Sequence, residues 1–220
     1  IRREGNRDLQ GNIDIGVSRS MDCGQTWEPM QVALSMAAFG GLPAKYNGVS
    51  DGALLVDRQT GRLFVFGCWM HGLRDDDGLF VEGMTEESTE WAHQWHSGRR
   101  GSGPGMGPRE TSQFLMAWSD DDGRSWSEPV NLTSELKHSE WYLFCPAPGC
   151  GITASDGTLV LPAQGRDADM KAFSTIVLSR DHGSTWKRAR VAQSGTNECA
   201  VVQLPDGALM LNMRDPGNRD

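Results

Sequence analysis

The chain lacks features that would place it among membrane or nucleic-acid-binding proteins. No run of about 18 apolar residues is present, so a membrane-spanning helix is not expected. Residues 1–4, Ile-Arg-Arg-Glu, are charged from the start, so this stretch is not predicted to be a signal peptide. The 21 Lys and Arg residues against 29 Asp and Glu give a net charge of −8, which argues against a nucleic-acid partner. An anionic ligand would therefore need a local cluster of arginines.

The spacing of the cysteines shows no zinc or redox motif. The five cysteines form no CxxC pair, and an odd number cannot pair completely into disulfides. Cys145 and Cys150 could form a disulfide, but buried free thiols are the favoured interpretation. His93 and His96 are spaced like metal ligands, yet no third and fourth ligand has matching spacing. The sequence therefore predicts neither a metal site nor a cofactor.

Glycine and tryptophan are abundant, and one turn sequence that contains both occurs three times. The 27 glycines and eight tryptophans are typical of an all-β protein with many turns. The pattern S-x-D-x-G-x-[ST]-W occupies residues 20–27, 119–126 and 179–186. In each copy the Asp can accept backbone N–H bonds, and the Gly supplies a backbone with φ > 0. The Trp then enters the next strand as a large apolar anchor.

Apolar segments between the turns predict repeated antiparallel units. Asp-Gly turns at 51–52, 156–157 and 206–207 each precede a short apolar segment, whereas each octapeptide follows one. Two interleaved turn types favour four-stranded units, which is how propeller blades are built. The octapeptide aspartates are 99 and 60 residues apart, and a blade needs roughly 40–50 residues. The polar segment 72–112 is interpreted as an excursion over a pocket.

The octapeptides and several longer stretches resemble bacterial exo-α-sialidases (neuraminidases), especially those of the Bacteroides kind. The other matching stretches are residues 41–44, 47–49, 151–153, 155–160 and 211–215. The resemblance covers essentially all 220 residues and implies an all-β, six-bladed β-propeller, of which this chain covers roughly four blades. In that family the octapeptides are peripheral "Asp boxes". The resemblance therefore gives structural roles to Asp22, Asp121 and Asp181.

The same resemblance implies a reaction with three chemical requirements. A sialoside has a carboxylate on its ketosidic carbon, and its cleavage passes through an oxocarbenium-like state. The site must hold the carboxylate, protonate the leaving oxygen and stabilise the cation. The family uses a Tyr nucleophile activated by a Glu, since a neutral Tyr is not repelled by the substrate carboxylate. The implied activity is that of a retaining exo-α-sialidase releasing terminal sialic acid from glycoconjugates.

Two acidic residues match the catalytic positions of the family. Asp8, 14 residues before the first Asp-box aspartate, matches the general acid/base. Glu198 matches the Glu that polarises the nucleophilic Tyr. The alternative interpretations are a solvated turn Asp and an exposed Glu at a strand end.

Other residues match substrate-binding positions. Arg214 matches the second arginine of the carboxylate-binding triad, and its planar guanidinium suits a carboxylate; the alternative is a surface Arg–Asp pair. Arg2 resembles the arginine near the sugar 4-hydroxyl, with Arg3 as the competing register. Asp51 matches a pocket aspartate, with an ordinary turn residue as the alternative. Gln113, directly after the polar segment, is a further candidate.

The sequence departs from the family pattern at three positions. Two arginines of the carboxylate-binding triad have no counterpart here. The nucleophilic Tyr has none either, because it should follow Glu198, whereas Tyr46 and Tyr142 both precede it. Residues 1–220 are therefore expected to be an incomplete propeller catalytic domain that is inactive alone.

The resemblance leaves several functional alternatives open. A trans-sialidase, an enzyme releasing an anhydro sugar, and a non-catalytic propeller that binds sialoglycans or proteins all share this pattern. The implied partners are sialylated glycans, and the implied location is secreted or periplasmic. An attached carbohydrate-binding module stays open.

Overall fold

The computed structural model describes residues 12–41, 44, 47–70, 83 and 102–217, where regular structure is almost entirely β-strand. The strands are β1 (Ile15–Val17), β2 (Gln31–Leu34), β3 (Gly48–Val56), β4 (Leu63–Met70), β5 (Gln113–Ser119), β6 (Val130–Asn131), β7 (Leu143–Pro146), β8 (Gly149–Cys150), β9 (Ile152–Thr153), β10 (Leu159–Arg166), β11 (Ala172–Ser179), β12 (Lys187–Arg188), β13 (Gln193–Ser194), β14 (Asn197–Gln203) and β15 (Leu209–Arg214). One helical turn, α1 (Thr133–Leu136), follows β6. No helix in these ranges has the length and apolar character needed to cross a membrane.

Within these ranges the strands form four successive antiparallel sheets. The first sheet pairs β1 with β2, and the second has the order β3-β4-β5-β6. The third has the order β7-β10-β11-β12, and the fourth pairs β14 with β15. Short strands extend them, with β8 parallel to β3, β9 beside β10 and β13 beside β11. The second and third sheets thus contain the four-stranded antiparallel unit that the repeated turns predicted.

Apolar side chains fill the spaces between neighbouring sheets. The aromatic residues buried between the second and third sheets are Phe64, Phe66, Phe114, Phe144, Phe173 and Trp186. The rings of Phe66 and Trp186 meet edge to face with centroids 5.2 Å apart. A cluster containing Leu34 and Trp69 joins the first and second sheets, and Val160 with Val201 joins the third and fourth. Each sheet is therefore buried face to face against the next, as in a propeller.

Each Asp box connects two antiparallel strands through hydrogen bonds to its own carboxylate. The boxes lie between β1 and β2, between β5 and β6, and between β11 and β12. In the third box, Asp181 accepts hydrogen bonds from the backbone N–H of Thr185 at 2.9 Å and its hydroxyl at 2.6 Å, and from the hydroxyl of Ser179 at 2.8 Å. These bonds, led by that of the Thr185 hydroxyl, lower the pKa of Asp181 to about 2. Asp22 and Asp121 accept equivalent bonds.

The third Asp box also contacts the second sheet through a buried carboxylate. Nδ1 of His182 lies 2.7 Å from Oδ2 of Asp57, whose side chain is fully buried after β3. Burial alone would raise the pKa of Asp57, but hydrogen bonds from Gln59, Thr60 and His182 lower it below its usual value. This polar contact and the aromatic cluster hold the box against its neighbour.

The prediction of buried free thiols holds for Cys199 and is wrong for the other four cysteines. Cys68 on β4 and Cys145 on β7 form a disulfide between the second and third sheets, with Cα atoms 5.3 Å apart. Cys150, the proposed alternative partner, is a free, exposed thiol, as is Cys23. Cys199 is a buried free thiol. The pairing was invisible in the sequence because the two residues are 77 positions apart and meet only when two sheets pack.

Two box glycines provide a test of this docking. Gly183 and Gly24 hold the same box position with φ of +83° and +86°. A Cβ on Gly183 would collide with the ring of Phe64, whereas a Cβ on Gly24 meets only the Trp27 ring at 3.9 Å. Gly24→Ala should cost roughly 1–2 kcal/mol for its left-handed backbone, and Gly183→Ala roughly 1–3 kcal/mol more. Urea unfolding measures both, and equal losses would contradict the docking of the third box.

Candidate active site

Strand ends from the third and fourth sheets, together with Asp51 of β3 in the second sheet, surround one cavity of about 270 Å³, here called the site cavity. Its polar lining consists of Asp51, Gln164, Arg166, Asn197, Glu198 and Arg214. Antiparallel pairing places the start of one strand beside the end of the next, and Asn197 at the start of β14 pairs with Arg214 at the end of β15. Strand β10, which contacts β14, ends at Arg166. The topology therefore brings residues far apart in sequence to one edge of the sheets.

Asp51 reaches the site cavity from an irregular part of β3. The register with β4 shifts between Ser50 and Ala53, and Asp51 itself has a φ of 52°. A bulge of this kind redirects a side chain, and such strained backbone clusters at functional sites. The predicted turn at 51–52 was therefore wrong, since these residues lie within a strand. The alternative of an ordinary turn residue fails with it.

The environment of Asp51 moves its titration into the neutral range. Burial, with a smaller contribution from the charge of Glu198, raises the pKa of the Asp51 carboxyl to about 7. A protonated carboxyl donates one hydrogen bond, whereas the ionised form only accepts. Asp51 therefore changes from donor to acceptor near neutral pH.

Glu198 and Arg214 form an ion pair at the mouth of the site cavity. Nη1 of Arg214 donates a hydrogen bond to Oε2 of Glu198 at 2.8 Å. The side chains are 44% and 59% exposed, so this pair contributes little to folding stability and both groups stay accessible to a ligand. Two residues selected separately from the sequence thus meet directly, and Glu198 is a partner of Arg214 in the structure.

The structure does not bring Gln113 to the site cavity. Its side chain is 1% exposed, its Nε2 donates to the carbonyl of Thr111 at 2.8 Å, and its Oε1 accepts from Asn131 at 2.7 Å. This amide is used between β5 and β6, and Gln113 is not among the described residues that line the cavity.

Several other candidates lie outside the described residues. They are Arg2, Arg3, Asp8, His93 and His96. Among the residues that the structure describes, no group of three or more His, Cys, Asp or Glu side chains could hold a metal ion.

Sequence reasoning missed Gln164 and Arg166 at the end of β10. Oε1 of Gln164 accepts a hydrogen bond from the backbone N–H of Glu198 at 3.0 Å, and its Nε2 lies 3.5 Å from Oδ2 of Asp51. Arg166 supplies a second guanidinium to the lining. A signal was present, because the polar run Gln-Gly-Arg ends an otherwise apolar strand. The site can therefore bind an anionic, hydroxyl-rich ligand and exchange protons with it.

Sheets packed face to face, with a polar cavity at converging strand ends, define the class of β-propeller domains. The chain belongs to the BNR repeat-like domain family, whose model matches residues 2–219.

Known proteins similar to this chain are sialidases. A sialidase of Bacteroides fragilis is 40% identical over 215 residues, which cover 98% of this chain and 36% of that protein. The solved structure of a Hadza microbial sialidase is 46% identical with a TM-score of 0.82, and covers 96% of this chain and 37% of that one. Trypanosoma rangeli sialidase in complex with sialic acid is 25% identical with a TM-score of 0.67, over 96% and 30% of the two chains.

The chain spans about a third of the length of these relatives. Their sheets match its own closely enough to confirm the predicted all-β, sialidase-type propeller fold. The resemblance drawn from the repeated octapeptides is confirmed as well.

The raised pKa of Asp51 predicts an unusual dependence of stability on pH. Since the folded pKa of about 7 lies above the unfolded value of about 4, the folded state binds more protons between these values. Wild-type stability should therefore fall as pH rises from 4 to 7. Asp51→Asn should gain roughly 3–4 kcal/mol over wild type across that window. Urea unfolding at pH 4.5 and 7.5 measures this gain.

Asp156→Asn is the matched control. A hydrogen bond from the backbone of Thr158 lowers the pKa of Asp156, so this carboxyl is charged in both states throughout the window. Its difference from wild type should stay constant between the two pH values. A constant difference for Asp51→Asn as well would show that Asp51 titrates normally.

Proposed function

We propose that this chain supplies part of the sialic acid site of an exo-α-sialidase that hydrolyses terminal sialic acid from glycoconjugates. The observation that carries the proposal is the meeting of Glu198, Arg214 and Asp51 in one cavity at the strand ends. The similarity to the Bacteroides fragilis sialidase over 98% of the chain supports the same activity.

Arginine provides the recognition step in this proposal. Sialic acid is an anion, and the chain has a net charge of −8, so binding requires a local positive group. The guanidinium of Arg214 is 59% exposed and offers a planar fork that matches a carboxylate. Arg2 is proposed to contact the sugar near its 4-hydroxyl. Asp51, at the cavity wall, is proposed to bind a sugar polar group.

Glu198 is proposed to activate a tyrosine nucleophile. Tyr46 and Tyr142 both precede Glu198, whereas the tyrosine of the resembled family follows its Glu, so the proposal assigns the nucleophile to a tyrosine outside residues 1–220. Glu198 takes the proton of the phenol as its oxygen bonds to the anomeric carbon. Asp8 donates a proton to the leaving oxygen as the glycosidic bond breaks. Water, deprotonated by Asp8, then attacks the anomeric carbon. The tyrosine leaves as its phenolate and takes back the proton from Glu198, so the configuration is retained overall.

The proposed substrates also indicate where the protein acts. Sialylated glycans cover surfaces outside bacterial cells, so a secreted or periplasmic protein is proposed. An attached carbohydrate-binding module would raise the effective concentration of such glycans at the site.

The two charged partners at the cavity mouth provide the first test. Glu198→Gln keeps the shape but removes the base, and should lower kcat of the full-length protein on a fluorogenic aryl α-sialoside by roughly 10²–10⁴-fold. Arg214→Lys loses the planar fork and should act mainly by raising KM at least tenfold, as expected for about 1.4 kcal/mol of lost binding. Exposed Arg190→Lys is the control and should leave both constants unchanged. A normal KM in Arg214→Lys would remove this arginine from substrate binding.

Asp8 is tested by comparing leaving groups. A sugar leaving group needs protonation, whereas an aryl leaving group departs as a stable phenolate. Asp8→Ala should therefore lose roughly 10²–10⁴-fold in kcat on a sialylated oligosaccharide and much less on the aryl sialoside. Equal losses on both substrates would exclude Asp8 as the general acid. Tight glycan binding by the wild type without any product would instead identify a non-catalytic propeller, and a transferred sugar in product NMR would identify a trans-sialidase.

A further inference from the structure

Both carboxylates of the site cavity lie where a strand leaves its regular ladder. Asp51 occupies the bulge between Ser50 and Ala53 of β3. Glu198 lies where the register of β14 with β15 shifts between Asn197 and Cys199. A bulged residue is left outside the ladder, so its position depends on other contacts.

Gln164 supplies those contacts to both bulges. It lies on β10, between the bulged strands β3 and β14, and is only 6% exposed. Its Oε1 accepts a hydrogen bond from the backbone N–H of Glu198 at 3.0 Å. This side chain takes the place of a ladder partner on β15. Its Nε2 donates to Oδ2 of Asp51 at 3.5 Å. A buried amide is stable only when it is hydrogen-bonded, and both ends of this amide are directed at the site.

The neighbouring contacts show that β14 is seated on β10 at this point. The thiol of Cys199 donates to the carbonyl of Ala163 at 3.4 Å, one residue before Gln164. The thiol fixes the strand next to Glu198, but it makes no contact with Asp51. Among the side chains that the structure describes, it is therefore Gln164 that hydrogen-bonds to both bulged residues.

We infer that Gln164 is a positioning residue, which fixes the backbone of Glu198 and sets the hydrogen bonding of the Asp51 carboxyl. The inference rests on the proposed sialidase function, in which Glu198 is the base and Asp51 binds the sugar. An N–H donor stabilises the ionised form of Asp51 against the charge of Glu198 across the same cavity. Among the described residues that line the cavity, Arg166 and Arg214 carry the positive charges.

Two substitutions separate the two contacts. Gln164→Met is similar in size and removes both hydrogen bonds. Gln164→Glu keeps an oxygen that accepts the N–H of Glu198 when ionised, but it cannot donate to an ionised Asp51. Gln203→Met is the control, since Gln203 on β14 also accepts a backbone N–H, from Ser155 at 2.8 Å, away from the site cavity.

The readouts are kcat, KM and the acid limb of the pH profile for the full-length protein with the aryl α-sialoside. Gln164→Met should lower kcat roughly 10- to 100-fold because the base is misplaced, and should shift the acid limb to higher pH. Gln164→Glu should recover most of the lost kcat while its acid limb stays shifted. Gln203→Met should change Tm alone. If Gln164→Met also changes only Tm, the residue is merely structural and the inference is overturned.

A wild type that hydrolyses no sialoside would overturn the proposed function but would still test Gln164. In that case the readout is the stability gained through Asp51→Asn, measured by urea unfolding from pH 4.5 to 8.5 with and without Gln164→Met. Replacing Gln164 by Met should extend the pH range over which Asp51→Asn gains stability. An unchanged range would overturn the role of Gln164 at Asp51.

Discussion

The face-to-face packing of aromatic side chains between the second and third sheets is the constraint on which the site depends. Phe66 and Trp186 meet edge to face at its centre, and both are essentially buried. A packed interior deforms little, so this contact fixes the rotation of one sheet relative to the next. The Asp57–His182 contact and the Cys68–Cys145 disulfide join the same two sheets. The strand ends can converge accurately because the sheets cannot rotate.

The site itself is built from departures from regular β-structure. Asp51 has a left-handed backbone in a bulge, and Glu198 lies at a shift of register. Such irregularities cost stability and persist where surrounding contacts hold them. Here the buried amide of Gln164 hydrogen-bonds to both residues. The rigid sheets and the irregular positions therefore have separate tasks, since the sheets set distances and the bulges direct side chains.

Charge is arranged against the overall character of the protein. The chain is acidic, yet Arg166 and Arg214 line the same cavity as Asp51 and Glu198. Burial, with a smaller contribution from the charge of Glu198, raises the pKa of Asp51 to about 7.

The sequence by itself determined the repeated Asp-box turns, the four-stranded units and the sialidase-type propeller. The turns and the four-stranded units depend on local turn chemistry and on apolar patterns within about 50 residues, which a sequence displays directly. The sialidase-type propeller followed from the resemblance of the motifs to a known family. It also identified Glu198 and Arg214, through the resemblance of their motifs. Only the tertiary structure decided that Gln164 joins the site, that Gln113 does not, and which cysteines pair. Those outcomes depend on which strand ends meet when sheets pack, and contacts between residues remote in sequence leave no local pattern.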